Sequence, residues 1–78
     1  MLYHAELTDT FAGEANYCWL HRATFEAESD ASPQTLIRRA KKALRTNYSF
    51  RTTADCGDLL RADSPKSSVV LFIFPATN

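Results

Sequence analysis

His4, Glu6 and His21 are the side chains of this chain whose types could hold a metal ion, since imidazole nitrogens and carboxylate oxygens are ordinary ligands. Three donors must share a face to do so. A hairpin pairing residues 2–8 with residues 17–25, symmetric about the intervening loop, sets His4 opposite His21, Glu6 opposite Trp19 and Leu7 opposite Cys18, which gathers the three donors. The close ligand spacing of a metal motif is missing, so the histidines are read as surface residues and no metal ligand is assigned. Cys18 and His21 fail as nucleophile and base because residues three apart on a strand point to opposite faces. The sequence contains no glycine-rich phosphate loop, no nucleophile motif and no carboxylate pair with a reason to shift its pKa. It therefore assigns no catalytic residue, no cofactor and no enzymatic activity.

Binding chemistry is better represented. Before residue 31, Glu6, Asp9, Glu14, Glu26, Glu28 and Asp30 face only Arg22, whereas every charge from Arg38 to Arg51 is positive. The acidic hairpin, Glu6, Asp9 and Glu14 with Tyr17 and Trp19, is the candidate surface for a basic groove on a partner protein. The alternative is a nucleic-acid surface made of Arg38, Arg39, Lys41, Lys42 and Arg45, with sheet aromatics available to stack on bases. Carboxylates at Glu6, Asp9, Glu14, Asp55 and Asp58 and a net charge of zero leave no field to draw in a polyanion, which ranks nucleic acid second. A solvated basic helix balanced by acidic residues of the same molecule is the bland counterpart of both.

The element that positions the cations is a helix over residues 33–44. Leu36, Ile37, Ala40, Ala43 and Leu44 fall in one apolar sector and the five cations in the other. Ser32 is a suitable N-cap, Pro33 suits the first helical position, and Asn47 can supply the left-handed residue that ends the helix. Residues 2–8 alternate as a first strand, and residues 9–16 read as a long loop into a second strand over 17–25. In the symmetric register Cys18, Leu20, Ala5 and Leu7 face the helix, and Tyr17, Trp19, His21, His4 and Glu6 face away. After the helix, residues 48–54 alternate, Cys56-Gly57-Asp58 is a turn, residues 59–62 form a short strand, residues 63–67 turn again, and residues 68–74 form the last strand before Pro75. These elements predict an α+β domain: an antiparallel sheet of four to five strands with one helix packed on one face, in a ββαββ-type order.

The last strand places Val69, Leu71 and Ile73 on one face and Val70, Phe72 and Phe74 on the other, so both faces call for burial. One helix covers one face, and the second is expected to be shielded by a partner or by a second copy in a homodimer. At 78 residues the chain forms a single domain, 1–78, near the lower size limit for an unaided core. The longest apolar run, residues 69–74, is too short to cross a bilayer, and the N-terminus lacks a signal-peptide pattern, so the expected location is cytoplasmic. Cys18 and Cys56 have no CxxC neighbour and read as buried small hydrophobes, with a disulfide between them as the second option.

The stretch from Tyr3 to Leu20, with its Thr-Asp-Thr-Phe, Gly-Glu-Ala-Asn-Tyr and Trp elements, followed by a helix bearing Arg38-Arg39-Ala40-Lys41, resembles small uncharacterised proteins encoded by bacteriophages, prophages and bacteria. That resemblance covers about half the chain and implies no reaction. By size and context it is similar in kind to the anti-CRISPR proteins, which implies a non-enzymatic inhibitor of a host protein complex, acting in the host cytoplasm.

Overall fold

The computed structural model describes residues 1–11, 14–15, 19–56 and 58–76. Its elements run β1 (Leu2–Phe11), β2 (Glu14–Ala15), β3 (His21–Glu26), α1 (Pro33–Leu44), β4 (Arg51–Asp55), β5 (Leu60–Asp63) and β6 (Val69–Pro75). All pairings are antiparallel. From one edge to the other the order is β2, β1, β6, β5, β4, and β3 also pairs with β1. The first and last strands are thus neighbours in the middle of an α+β sheet, with the single helix on one face.

Alternation decides which residues that helix covers. Tyr3, Ala5 and Leu7 lie opposite Pro75, Ile73 and Leu71, while Leu60 and Ala62 continue the same rows on β5. These side chains, with Phe25, Val69 and the helix residues Ile37, Ala40 and Leu44, form the buried core. Leu36 and Ala43 are partly buried at its margin. The Tyr3 and Phe25 rings stack with centroids 5.6 Å apart.

The helix begins as the sequence dictates: Ser32 Oγ accepts a hydrogen bond from the Thr35 amide at 3.2 Å, and Pro33 follows it. Its end differs from expectation. Arg45, not Asn47, takes the left-handed conformation, with φ 56°. The Thr46 amide reaches the Lys41 carbonyl at 3.1 Å and the Arg45 amide reaches the Lys42 carbonyl at 3.3 Å, the paired bonds of a Schellman closure. Leu44 is the last residue the core requires, so the chain must turn there, whatever residue follows.

The N-terminal hairpin is the larger correction. Instead of ending at residue 8, β1 continues to Phe11, and only two residues separate it from β2, inside the stretch expected to be a loop. The pairing of β3 with β1 begins at His21, with Leu7 opposite His21, Glu6 opposite Arg22 and His4 opposite Thr24. Against the symmetric register this is a slip of three residues, an odd number, which exchanges the two faces of the second strand. The expected pairs His4–His21, Glu6–Trp19 and Leu7–Cys18 therefore do not form. Trp19 and Leu20 lie outside the strand, 42% and 41% exposed, and Tyr17 and Cys18 lie outside the described residues.

Differences elsewhere are smaller. Tyr48, Ser49 and Phe50 precede β4 instead of opening it, and Phe50 packs against the core. A bulge at Thr53 interrupts the β4–β5 register, and β4 is exposed throughout. Cys56, expected to be buried, is a free and exposed thiol in the turn after β4, where its amide donates to the Leu59 carbonyl at 2.9 Å.

Candidate functional site

Glu6 and Asp9 of the acidic hairpin lie on opposite faces of the sheet. Glu6 lies on the sheet face away from the helix, where Arg22 Nε meets its Oε2 at 2.8 Å, so its charge is already paired. Asp9 is three residues further along β1 and belongs to the helix-side rows, opposite Val69. It is half-buried, and its Oδ1 has no hydrogen-bond partner among the described residues. Glu14 lies in β2, Tyr17 is outside the described residues, and Trp19 is exposed in the segment between β2 and β3. That segment is anchored by the hydroxyl of the fully buried Thr8, which donates to the Trp19 carbonyl at 2.6 Å. The three potential metal ligands are separated too: His4 and Glu6 share the outer face, but His21 stands opposite Leu7 on the other. Among the described residues no group of three or more His, Cys, Asp or Glu side chains could hold a metal ion.

The cations do assemble. Arg38, Arg39, Lys41, Lys42 and Arg45 lie along α1 and its first following residue, with Lys41 half-buried and the others exposed. None of them belongs to the ion pairs that join the N-terminal amine to Glu26, Arg22 to Glu6 and Arg61 to Asp63. Three of the cations converge on a groove of about 540 Å³ lined by Phe25, Glu26, Arg38, Arg39, Lys42 and Ala43. Arg39 Nη1 donates across it to the Glu26 carbonyl at 3.2 Å, tying the helix to β3. The Glu26 carboxylate is turned to the N-terminal amine, 3.4 Å away.

This groove runs beside an edge. Among the described residues β3 pairs with β1 alone. The Ala27 amide bonds to the Met1 carbonyl on the β1 side, whereas the Glu26 carbonyl points outward to Arg39. Backbone direction alternates along a strand, so the amide and carbonyl groups of Arg22 and Thr24 share the outward direction of Glu26. Sequence reasoning placed the five cations on one helix face, and three of them, Arg38, Arg39 and Lys42, line the groove. It missed Phe25 as the groove's apolar floor and β3 as its edge, because both follow from the slipped register.

Comparison with known protein families, with curated proteins and with solved structures finds no match to this chain.

Proposed function

We propose that this chain is a non-enzymatic protein-binding module that receives an extended acidic segment of its partner along the outer edge of β3. The observation that carries this reading is the adjacency of a strand edge at Arg22 and Thr24, unextended among the described residues, to a groove rimmed by Arg38, Arg39 and Lys42. An added strand would satisfy the outward backbone groups, and its alternate side chains would meet the cations. Lys42 sits in the last turn of α1, where the helix dipole supports a cation, and none of Arg38, Arg39 and Lys42 enters the ion pairs named above among the described residues, so a carboxylate partner gains by neutralising their charge. With the resemblance of the opening stretch to small phage-encoded proteins, the partner is a component of a host protein complex in the cytoplasm, and binding inhibits that complex. The engaged surface is the basic groove and not the acidic hairpin, whose Glu6 and Asp9 lie on opposite faces of β1.

Nucleic acid ranks lower on a specific ground. The aromatics of the outer sheet face, Phe72 and Phe74, are half-buried, and Glu6 stands directly opposite Phe72, so a phosphate chain stacking there would meet a carboxylate. The test is titration of the purified chain with a fluorescent peptide of alternating valine and glutamate, and separately with single- and double-stranded DNA and RNA. Saturable peptide binding that weakens with salt and is lost in Arg38→Ala/Lys42→Ala supports the proposal. Tighter binding to any nucleic acid, lost in Lys41→Ala/Lys42→Ala, would replace it.

A further inference from the structure

We infer that the outer sheet face, on the side away from α1 and independent of the groove, is a self-complementary surface that docks a second copy of this chain. The argument rests on one row of side chains across the sheet. Arg22, Glu6, Phe72, Arg61 and Ala54 lie directly opposite one another on β3, β1, β6, β5 and β4. Phe72 is the middle of that row, with a carboxylate on one side and a guanidinium on the other. The Arg61 guanidinium carbon lies 5.8 Å from the centre of the Phe72 ring, and Arg61 also pairs with Asp63 at 3.1 Å.

A two-fold axis lying between two such faces and parallel to β6 maps each Phe72 onto the other. The same rotation carries Glu6 of each copy, bonded within its own chain to Arg22, over Arg61 of its mate, bonded within its own chain to Asp63, so each intermolecular contact extends an existing pair. Charge and apolar centre are thus matched by the operator that closes a dimer, which is what an isologous interface requires. Phe74 lies on the same face, its ring 5.4 Å from His4, and extends the apolar centre along the axis. The opposite end is already closed, because Val70 on this face is fully buried and the Trp19 segment lies over Thr8 opposite it.

Size sets the strength. The open rows, five positions in the row of Phe72 and three in that of Phe74, at about 4.8 Å by about 6.6 Å each, give a footprint of about 250 Å² on each copy. Two such faces together bury about 500 Å², below the size of a stable specific interface, so the dimer is weak and reversible. Its ion pairs lie at the edges of the apolar centre, so association weakens as salt rises.

The experiment uses charge reversal with complementation. Wild type should show a sedimentation-averaged mass that rises from monomer toward dimer over the micromolar to millimolar range. Glu6→Arg sets arginine over Arg61, and Arg61→Glu sets glutamate over Glu6, so each variant alone should lose association by about tenfold or more. An equimolar mixture of the two restores both attractive pairs and should recover the dimer, which damage to the fold could not do. If either reversal prevents folding, Glu6→Gln and Arg61→Gln replace them, and each should weaken the wild-type dimer. A wild type that stays monomeric throughout overturns the inference. So does a dimer that persists unchanged in the reversal variants, or a mixture that stays as weak as its components.

Discussion

Leu44→Ala tests the orientation of the helix, and its cost can be worked from position. Leu44 is 1% exposed at the last turn of α1, facing the sheet. Truncation removes about three carbon groups, or about 2.4 kcal/mol of transfer free energy at about 0.8 kcal/mol each. The residual cavity raises this to about 3–4 kcal/mol, within the range of buried leucine truncations. For a domain of this size the whole stability is of order 4–12 kcal/mol, so the variant loses a quarter of it at least. At roughly 4–8 °C per kcal/mol, thermal unfolding followed by circular dichroism should shift by about 12–32 °C, with urea titration giving an unchanged slope. Leu36→Ala, at the core margin, should cost about half as much. Arg39→Ala, which loses one exposed hydrogen bond to Glu26, should cost less than about 1 kcal/mol. Equal shifts for Leu44→Ala and Arg39→Ala would refute the packing described here.

Three further outcomes follow from particular residues. Arg45 holds φ 56° at the helix end, so Arg45→Gly should be neutral or stabilising by up to about 1 kcal/mol, while Arg45→Val should destabilise by more than that, both read from urea midpoints. Thr8→Val leaves the Trp19 carbonyl without its donor and should cost about 1–2 kcal/mol, with a changed emission of Trp19, the one tryptophan of the chain. Burial alone would raise the Asp63 pKa, but hydrogen bonds from Arg61 and Thr53 and the Arg61 charge outweigh it and hold the carboxyl below its ordinary 3.8. Because the folded value is the lower one, its stabilisation is complete above about pH 4 and is lost as pH falls through the folded value, and Asp63→Asn should remove that component from urea midpoints measured down the pH scale.

Alternation made the centre of the sheet legible. Ala5 and Leu7, Leu71 and Ile73 repeat at a spacing of two, and each strand has one set that only a covered face can accept. The helix was legible for a second reason: Ser32 and Pro33 mark its start, and Ile37, Ala40 and Leu44 set its buried face through spacing alone. What the residues did not encode locally was the edge. Trp19 favours strands yet lies outside β3, and propensity has no term for the point at which pairing with β1 begins. The register that pairs Glu6 with Arg22 and stacks Phe25 on Tyr3 brings charge and apolar partners together across β1 and β3 at once. Those gains involve residues about sixteen to twenty-two positions apart, beyond the reach of a local pattern. The candidate site suffered in the same way: its cations were visible on the helix, but its floor and edge depended on the slipped strand.

The most direct test of the central claim is amide-resolved NMR of the isotopically labelled chain titrated with the alternating valine–glutamate peptide. Binding at the proposed edge should shift and protect from exchange the amides of Arg22 and Thr24 and perturb Arg38, Arg39 and Lys42, leaving Phe72 and Arg61 unmoved. Perturbations gathered instead on Glu6, Asp9 and Trp19, with the Arg22 and Thr24 amides exchanging as before, would contradict it.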